Sequence, residues 1–220
     1  MQKKILLFLV LILSSFTLKD LFINKSYVYI ENTNGEILKS YWYTKKNDDK
    51  IVINEDSKID KTELVFTNDL VLEEYTLKSQ SNNSDYHIKR DKNILTAEGL
   101  SKGKTLSSRN NIGGENWIQE FKFGLKKFIN SKSSTFNFIT LNPDDFSVKK
   151  LVATKKNIED IKISDKVYRT QKIDITLQGF FSNFWRAEAW YDLKNYNLIR
   201  YKANMGPGTP ISVIYLESFN

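Results

Sequence analysis

Along most of this chain apolar and polar residues alternate in short runs. "SYVYIE" (26–31) and "GEILKSYWYT" (35–44) flank Asn34-Gly35, a pair suited to a hairpin turn because both central positions need positive φ. Further β-rich runs cover 50–55, 61–67, 71–79, 84–90, 94–99 and 103–110. After an interruption they resume at 134–141, 146–156, 158–164, 166–180, 184–192, 196–203 and 211–218. In 166–180, Val167, Ile173, Ile175, Leu177 and Gly179 share one face. Tyr168, Thr170, Lys172, Asp174 and Thr176 share the other, as in a half-buried antiparallel strand.

The interruption is "NWIQEFKFGLKKFINS", residues 116–131. Trp117, Ile118, Phe121, Leu125, Phe128 and Ile129 recur there at helical spacing and form one apolar stripe. Lys126 and Lys127 sit near the C-terminal end, where cations suit the helix dipole. Gly124 inside the run costs about 1 kcal/mol of helix propensity.

About a dozen short strands with turn signals between them, and one helix, predict a mainly β fold. A sheet of that length must curl. The expected architecture is a strongly curved antiparallel sheet or half-barrel with a helix on its concave side, and a β-sandwich is the alternative. Residues 20–220 are expected to form a single antiparallel β domain, since no linker divides them.

Residues 1–19 change the picture of where the chain works. "MQKK" is a basic start, "ILLFLVLIL" (5–13) is apolar, and a short polar exit follows. The run is shorter than the roughly 20 residues a membrane helix needs, so it predicts an export signal cleaved between positions 15 and 20. An uncleaved anchor, the alternative, would be the chain's only membrane contact. The expected location is the periplasm or the extracellular space. The chain has no cysteine, which excludes disulfides, a thiol nucleophile, a Cys-based zinc site and a lipid-modified cysteine.

Charge adds little. The formal net charge is +7, but three lysines belong to the leader, leaving 30 basic against 26 acidic residues. Only five residues are Arg, and the two signs interleave, unlike a nucleic-acid-binding face.

Candidate chemistry is sparse. His87 is the only histidine and alternates with Tyr86 and Ile88 in a strand. No G-x-S-x-G accompanies it. Acidic neighbours such as Asp48-Asp49, Glu73-Glu74, Asp144-Asp145 and Glu159-Asp160 point opposite ways on a strand or lie in turns. They do not supply the facing carboxylates of a glycosidase. "MGPGTP" (205–210) lacks the lysine and hydroxyl of a phosphate loop and reads as a turn. No catalytic residue, metal site or cofactor is assigned.

"FWRAEAWYD" (184–192) is the most distinctive stretch. As a strand it turns Trp185, Ala187, Ala189 and Tyr191 to one face, and Arg186, Glu188, Trp190 and Asp192 to the other. Cross-strand pairs of Arg186 or Glu188 with Arg200 or Lys202 are expected. The small Ala187 and Ala189 leave room for the helix that carries Trp117, or for a cavity.

The pattern W-x-A-E-x-W-Y-D…L-I-R-Y…G-P-G-T-P over 184–216, behind an export leader, resembles a family of bacterial periplasmic proteins that carries no assigned activity. The overall plan is similar to the half-barrels of LolA/LolB-type lipoprotein carriers. That resemblance implies acyl chains held in a concavity lined by aromatic and aliphatic side chains, with Trp117, Phe121, Trp185 and Trp190 as wall residues. It makes a lipid or a lipoprotein the expected partner. The first reading is therefore a non-enzymatic binder of an apolar ligand. The alternatives are a structural module of the envelope with a solid aromatic core, and a hydrolase of envelope polymers working through distant carboxylates such as Glu188.

Overall fold

The computed structural model describes residues 23–204 and 209–220. The leader, and Met205 to Gly208 of "MGPGTP", lie outside them.

The chain runs through eight strands, a linker and six more strands. The first eight are β1 (Ser26–Thr33), β2 (Glu36–Asn47), β3 (Lys50–Ser57), β4 (Asp60–Thr67), β5 (Leu72–Ser79), β6 (Ser84–Asp91), β7 (Ile94–Ser101) and β8 (Lys104–Asn111). Two short helical pieces follow, α1 (Phe121–Gly124) and α2 (Lys126–Asn130). The remainder are β9 (Thr135–Leu141), β10 (Val148–Ile163), β11 (Lys166–Leu177), β12 (Arg186–Asp192), β13 (Leu198–Asn204) and β14 (Ile211–Phe219).

All fourteen strands make one sheet, in the order β8-β7-β6-β5-β4-β3-β2-β1-β14-β13-β12-β11-β10-β9. Each half of the chain is thus a meander, and the halves meet where β1 pairs antiparallel with β14. The alternation in the sequence becomes an inside and an outside. Ile51 and Ile53 of β3, and Tyr86 and Ile88 of β6, enter the core, while Asp85 and His87 turn away. The Asn34-Gly35 turn takes the expected geometry, with φ of 53° and 86°. Gly99 is needed for a different reason. It sits at φ 131°, and a Cβ there would lie 2.4 Å from the Asp85 carbonyl oxygen.

The sheet curls without closing. Its two edges, β8 and β9, do not pair with each other. The β9–β10 loop instead bridges to the β7–β8 side. Ser101 Oγ donates to the Pro143 carbonyl at 2.5 Å, Ser108 Oγ donates to the Phe146 carbonyl at 3.2 Å, and Lys102 pairs with Asp144 at 2.5 Å. A sandwich would need two sheets, so that alternative does not hold.

The linker between β8 and β9 enters the concave side, and here the structure corrects the sequence. Helix begins at Phe121, not at residue 116, and breaks at Leu125. Trp117 and Ile118 are extended. Trp117 bridges in parallel to Ile139 of β9, with Ile118 N–H donating to the Ile139 carbonyl at 2.9 Å. This pairing covers part of an edge that would otherwise be bare. Glu120 then caps α1 by accepting from the Lys122 N–H at 3.0 Å. Gly124 lets the chain fold back on itself, since a Cβ there would fall 2.6 Å from Ile118 Cγ2.

Two smaller differences follow from length. The runs at 146–156 and 158–164 are one strand, β10, with an irregular register between Lys155 and Ile158. Val167, expected on an apolar face, is 64% exposed because the β10–β11 hairpin extends past the core.

Candidate functional site

The helical plug organises the interior. Phe123 packs edge-on to Tyr27 with ring centroids 5.5 Å apart, and tilted against Trp42 at 5.2 Å. Leu125, Phe128 and Ile129 are buried with it. Tyr191 Oη donates to the Phe121 carbonyl at 2.8 Å, tying the plug to β12.

Lys126, also on the plug, is fully buried. Its Nζ donates to Asn197 Oδ1 at 2.6 Å and lies 5.0 Å above the Tyr27 ring. Burial pulls its pKa down to about 7. Lys122 is 12% exposed and lies 3.3 Å from Glu120. Burial works against its charge, but Glu120, Glu55 and Glu31 outweigh it and hold the pKa above the ordinary lysine value.

Ala187 and Ala189 are completely buried in this core. The protein's own side chains fill the space they leave. What stays open lies beside the plug, in a groove of about 870 Å³. That size is within the range of ligand pockets. Phe121, Trp185, Tyr201, Tyr75 and Tyr86 give it aromatic walls, and Leu141, Val148, Leu151 and Leu177 line the rest. Lys102, Lys149, Lys150, Asn142, Asp144 and Gln178 supply its polar groups. Lys102 is paired to Asp144, and Lys150 to Glu115 at 2.7 Å.

The four aromatic residues expected from sequence part company. Phe121 and Trp185 meet in the groove. Phe121 stacks edge-on to Phe138, and Trp185 Nε1 donates to the Asn204 carbonyl at 2.9 Å. Trp117 lines a separate cavity of about 260 Å³ with Phe66, Leu72, Phe128 and Phe136. Trp190 is on the other face of β12 from Ala187 and Ala189, and its indole N–H donates to Glu159. The Lys172 and Arg200 cations stand 5.0 and 5.3 Å from its ring. The three are register partners across β11, β12 and β13, so this is an outer cross-strand ladder.

The charges of β12 pair toward β11 and not toward β13. Arg186 binds Asp174 at 2.7 Å, and Glu188 binds Lys172. Glu188 is therefore ion-paired, and the carboxylate in register with it, Asp174, sits on the adjacent strand bound by Arg186, not across a cleft. His87 lies 3.5 Å from Glu74 on the strand surface. Among the described residues, no group of three or more His, Cys, Asp or Glu is placed to hold a metal ion.

Sequence reasoning missed Tyr75, Tyr86, Tyr201 and Val148. Their inward positions follow from alternation, but which of them the plug leaves uncovered depends on contacts between distant segments.

No family model matches this sequence, and no curated protein matches it. The fold has solved counterparts. A β-barrel-like protein of a domain of unknown function (DUF1849) from Brucella abortus is similar with a TM-score of 0.62. It is 8% identical, over 90% of this chain and 98% of that one. The hypothetical lipoprotein YmcC from Escherichia coli scores 0.39 at 10% identity, over 92% and 89% of the two chains. A LolA-superfamily protein from Nitrosomonas europaea scores 0.25 at 7% identity, over 90% and 86%. The first establishes a barrel-like fold, and the other two carry no argument at these scores.

Proposed function

We propose that this chain is an exported envelope protein that holds an apolar ligand, an acyl chain or the lipid of a lipoprotein, in the groove beside the plug. The observation that carries the reading is the groove, whose walls are largely aromatic and aliphatic. Each methylene transferred from water into such walls contributes about 0.8 kcal/mol, so a dozen supply about 10 kcal/mol, comparable to the roughly 4–15 kcal/mol cost of association. Lys149 at the rim suits an anionic head at the end of the chain. The leader-like residues 1–19 point the same way.

A fluorescent fatty acid titrated into the purified protein is expected to bind saturably at one site. Val148→Trp, which places an indole in the groove, is expected to weaken binding at least about tenfold, equivalent to about 1.4 kcal/mol. Trp190→Phe, on the outer face, is expected to leave it unchanged. Absence of saturable binding, or equal affinity in Val148→Trp, would sink the proposal.

One observation favours a second reading, a structural module of the envelope: the space above Ala187 and Ala189 is filled by the protein itself. That reading expects no saturable binding of the fatty acid.

A further inference from the structure

The cavity of about 260 Å³ beside Trp117 is separate from the groove, and Gln119 is the one described residue that lines both. The β4–β5 hairpin end, the end of β6, the segment 116–120, and α2 with the start of β9 close around it. Its walls are apolar. Phe66, Leu72, Trp117, Ile118 and Phe128 are buried core residues, and the Phe136 ring stacks on Phe128 with centroids 5.4 Å apart. Val71, in the same lining, is 36% exposed, so apolar surface there still faces water.

Three charged residues line the cavity: Arg90, Lys127 and Glu120. Glu120 is already used, since it caps α1 and pairs with Lys122 at 3.3 Å. The two cations meet only uncharged acceptors among the described residues. Arg90 Nε donates to the Lys92 carbonyl at 2.9 Å, and Lys127 Nζ approaches the Asp69 carbonyl at 3.4 Å. Glu73 acts on Arg90 only from a distance and is itself bound to Lys50.

Arg90 stands on the inner face through simple alternation. Tyr86 and Ile88 of β6 enter the core, and Arg90 follows two residues later, in register with fully buried Leu95 of β7. Burial lowers its pKa, so the guanidinium has lost water that no anion of the described chain replaces. Lys92 takes one of its N–H groups and leaves the rest. A partly desolvated guanidinium gains from an anion, and its planar fork matches a carboxylate. Size narrows the ligand further. An apolar cavity of about 150 Å³ is enough for benzene. This one is larger than that, yet below the roughly 300–1,000 Å³ of pockets for bigger ligands.

We infer that this cavity binds a small carboxylic acid with one ring or a branched chain, its apolar body among the aromatic walls and its carboxylate held by Arg90 with help from Lys127. The site is independent of acyl-chain binding in the groove.

Calorimetric titration of the whole protein with 3-phenylpropionate tests it, with 3-phenylpropanamide and 3-phenylpropylamine as neutral and cationic matches. The acid is expected to bind at a single site, at least about tenfold more tightly than the amide, and the amine to give no heat. Arg90→Gln is expected to lower affinity about tenfold, the usual worth of a hydrogen bond to a charged group. Lys127→Gln is expected to lower it only about threefold, because that position is exposed and screened. It is expected to fold as the wild type does, and with the acid–amide comparison it decides the matter if Arg90→Gln fails to fold. Val148→Trp, which blocks the groove, is expected to leave the affinity unchanged, so this outcome is separate from that of the groove. No binding of the acid, equal affinity for the amide, undiminished affinity in Arg90→Gln, or loss of binding in Val148→Trp would overturn the assignment.

Discussion

Phe123→Ala is expected to destabilise the fold by about 4 kcal/mol, read as a lower urea midpoint at unchanged slope. Phe123 is buried at the centre of the plug, between Tyr27, Trp42 and the Lys126 ammonium. Tyr27 and Trp42 stand directly opposite each other on the paired strands β1 and β2. Backbone pairing keeps those strands from collapsing into the hole, so the cavity term stays large. The aromatic pairs add about 0.5–1.5 kcal/mol each beyond the buried area. Ile211→Ala, at a half-exposed position, is expected to change stability by no more than about 0.5 kcal/mol. Equal effects from the two substitutions would mean that the plug is not a structural centre.

The second large effect is a dependence on pH. In the unfolded chain Lys126 holds its proton up to about pH 10.4. In the fold it releases the proton near pH 7, because burial penalises the charge. Between those values the unfolded state binds the extra proton, so raising the pH favours folding. Below pH 7 both states are protonated and the penalty is constant. Stability is therefore expected to rise from pH 7.5 to 9.5 by up to about 1.4 kcal/mol per unit. Above pH 10 the trend reverses. Buried Tyr27, Tyr29, Tyr75 and Tyr191 and partly buried Tyr201 have pKa values raised by loss of solvent, while their unfolded counterparts ionise. Lys126→Met keeps the length of the side chain and removes the charge. Its loss of the Asn197 hydrogen bond is a constant offset, so its stability profile over pH 7.5–9.5 is expected to be nearly flat. Parallel profiles for the variant and the wild type would show that Lys126 does not carry the effect.

Lys126 also marks where the sequence stops being informative. Helical spacing puts Leu125, Phe128 and Ile129 on one stripe, and leaves Phe123 and Lys126 on the other side, where a surface helix meets water. A plug enclosed by a curled sheet has no such side, so both residues are buried. The strands were more legible. Alternation locates them to within a few residues, and Asn34-Gly35 marks its own turn. The faces of β12 were also right, with Trp190 opposite to Ala187 and Ala189. What alternation could not show is how far the sheet curls, which strands meet at the seam, and so which inward side chains remain uncovered. Phe121 and Trp185 share the groove with Tyr75 and Tyr86, residues far away in the chain. The partner of Glu188 was equally out of reach, because Lys202 stands in register with it on one side and Asp174 on the other, and only packing selects the diagonal Lys172.

The central claim is that the groove beside the plug holds an apolar chain. Native mass spectrometry of the protein, expressed with its own leader and purified without detergent, tests it most directly. The expected spectrum shows one lipid-sized adduct per chain, which releases an acyl chain on extraction and is absent from Val148→Trp. A bare chain that also takes up no fatty acid on incubation would contradict the claim.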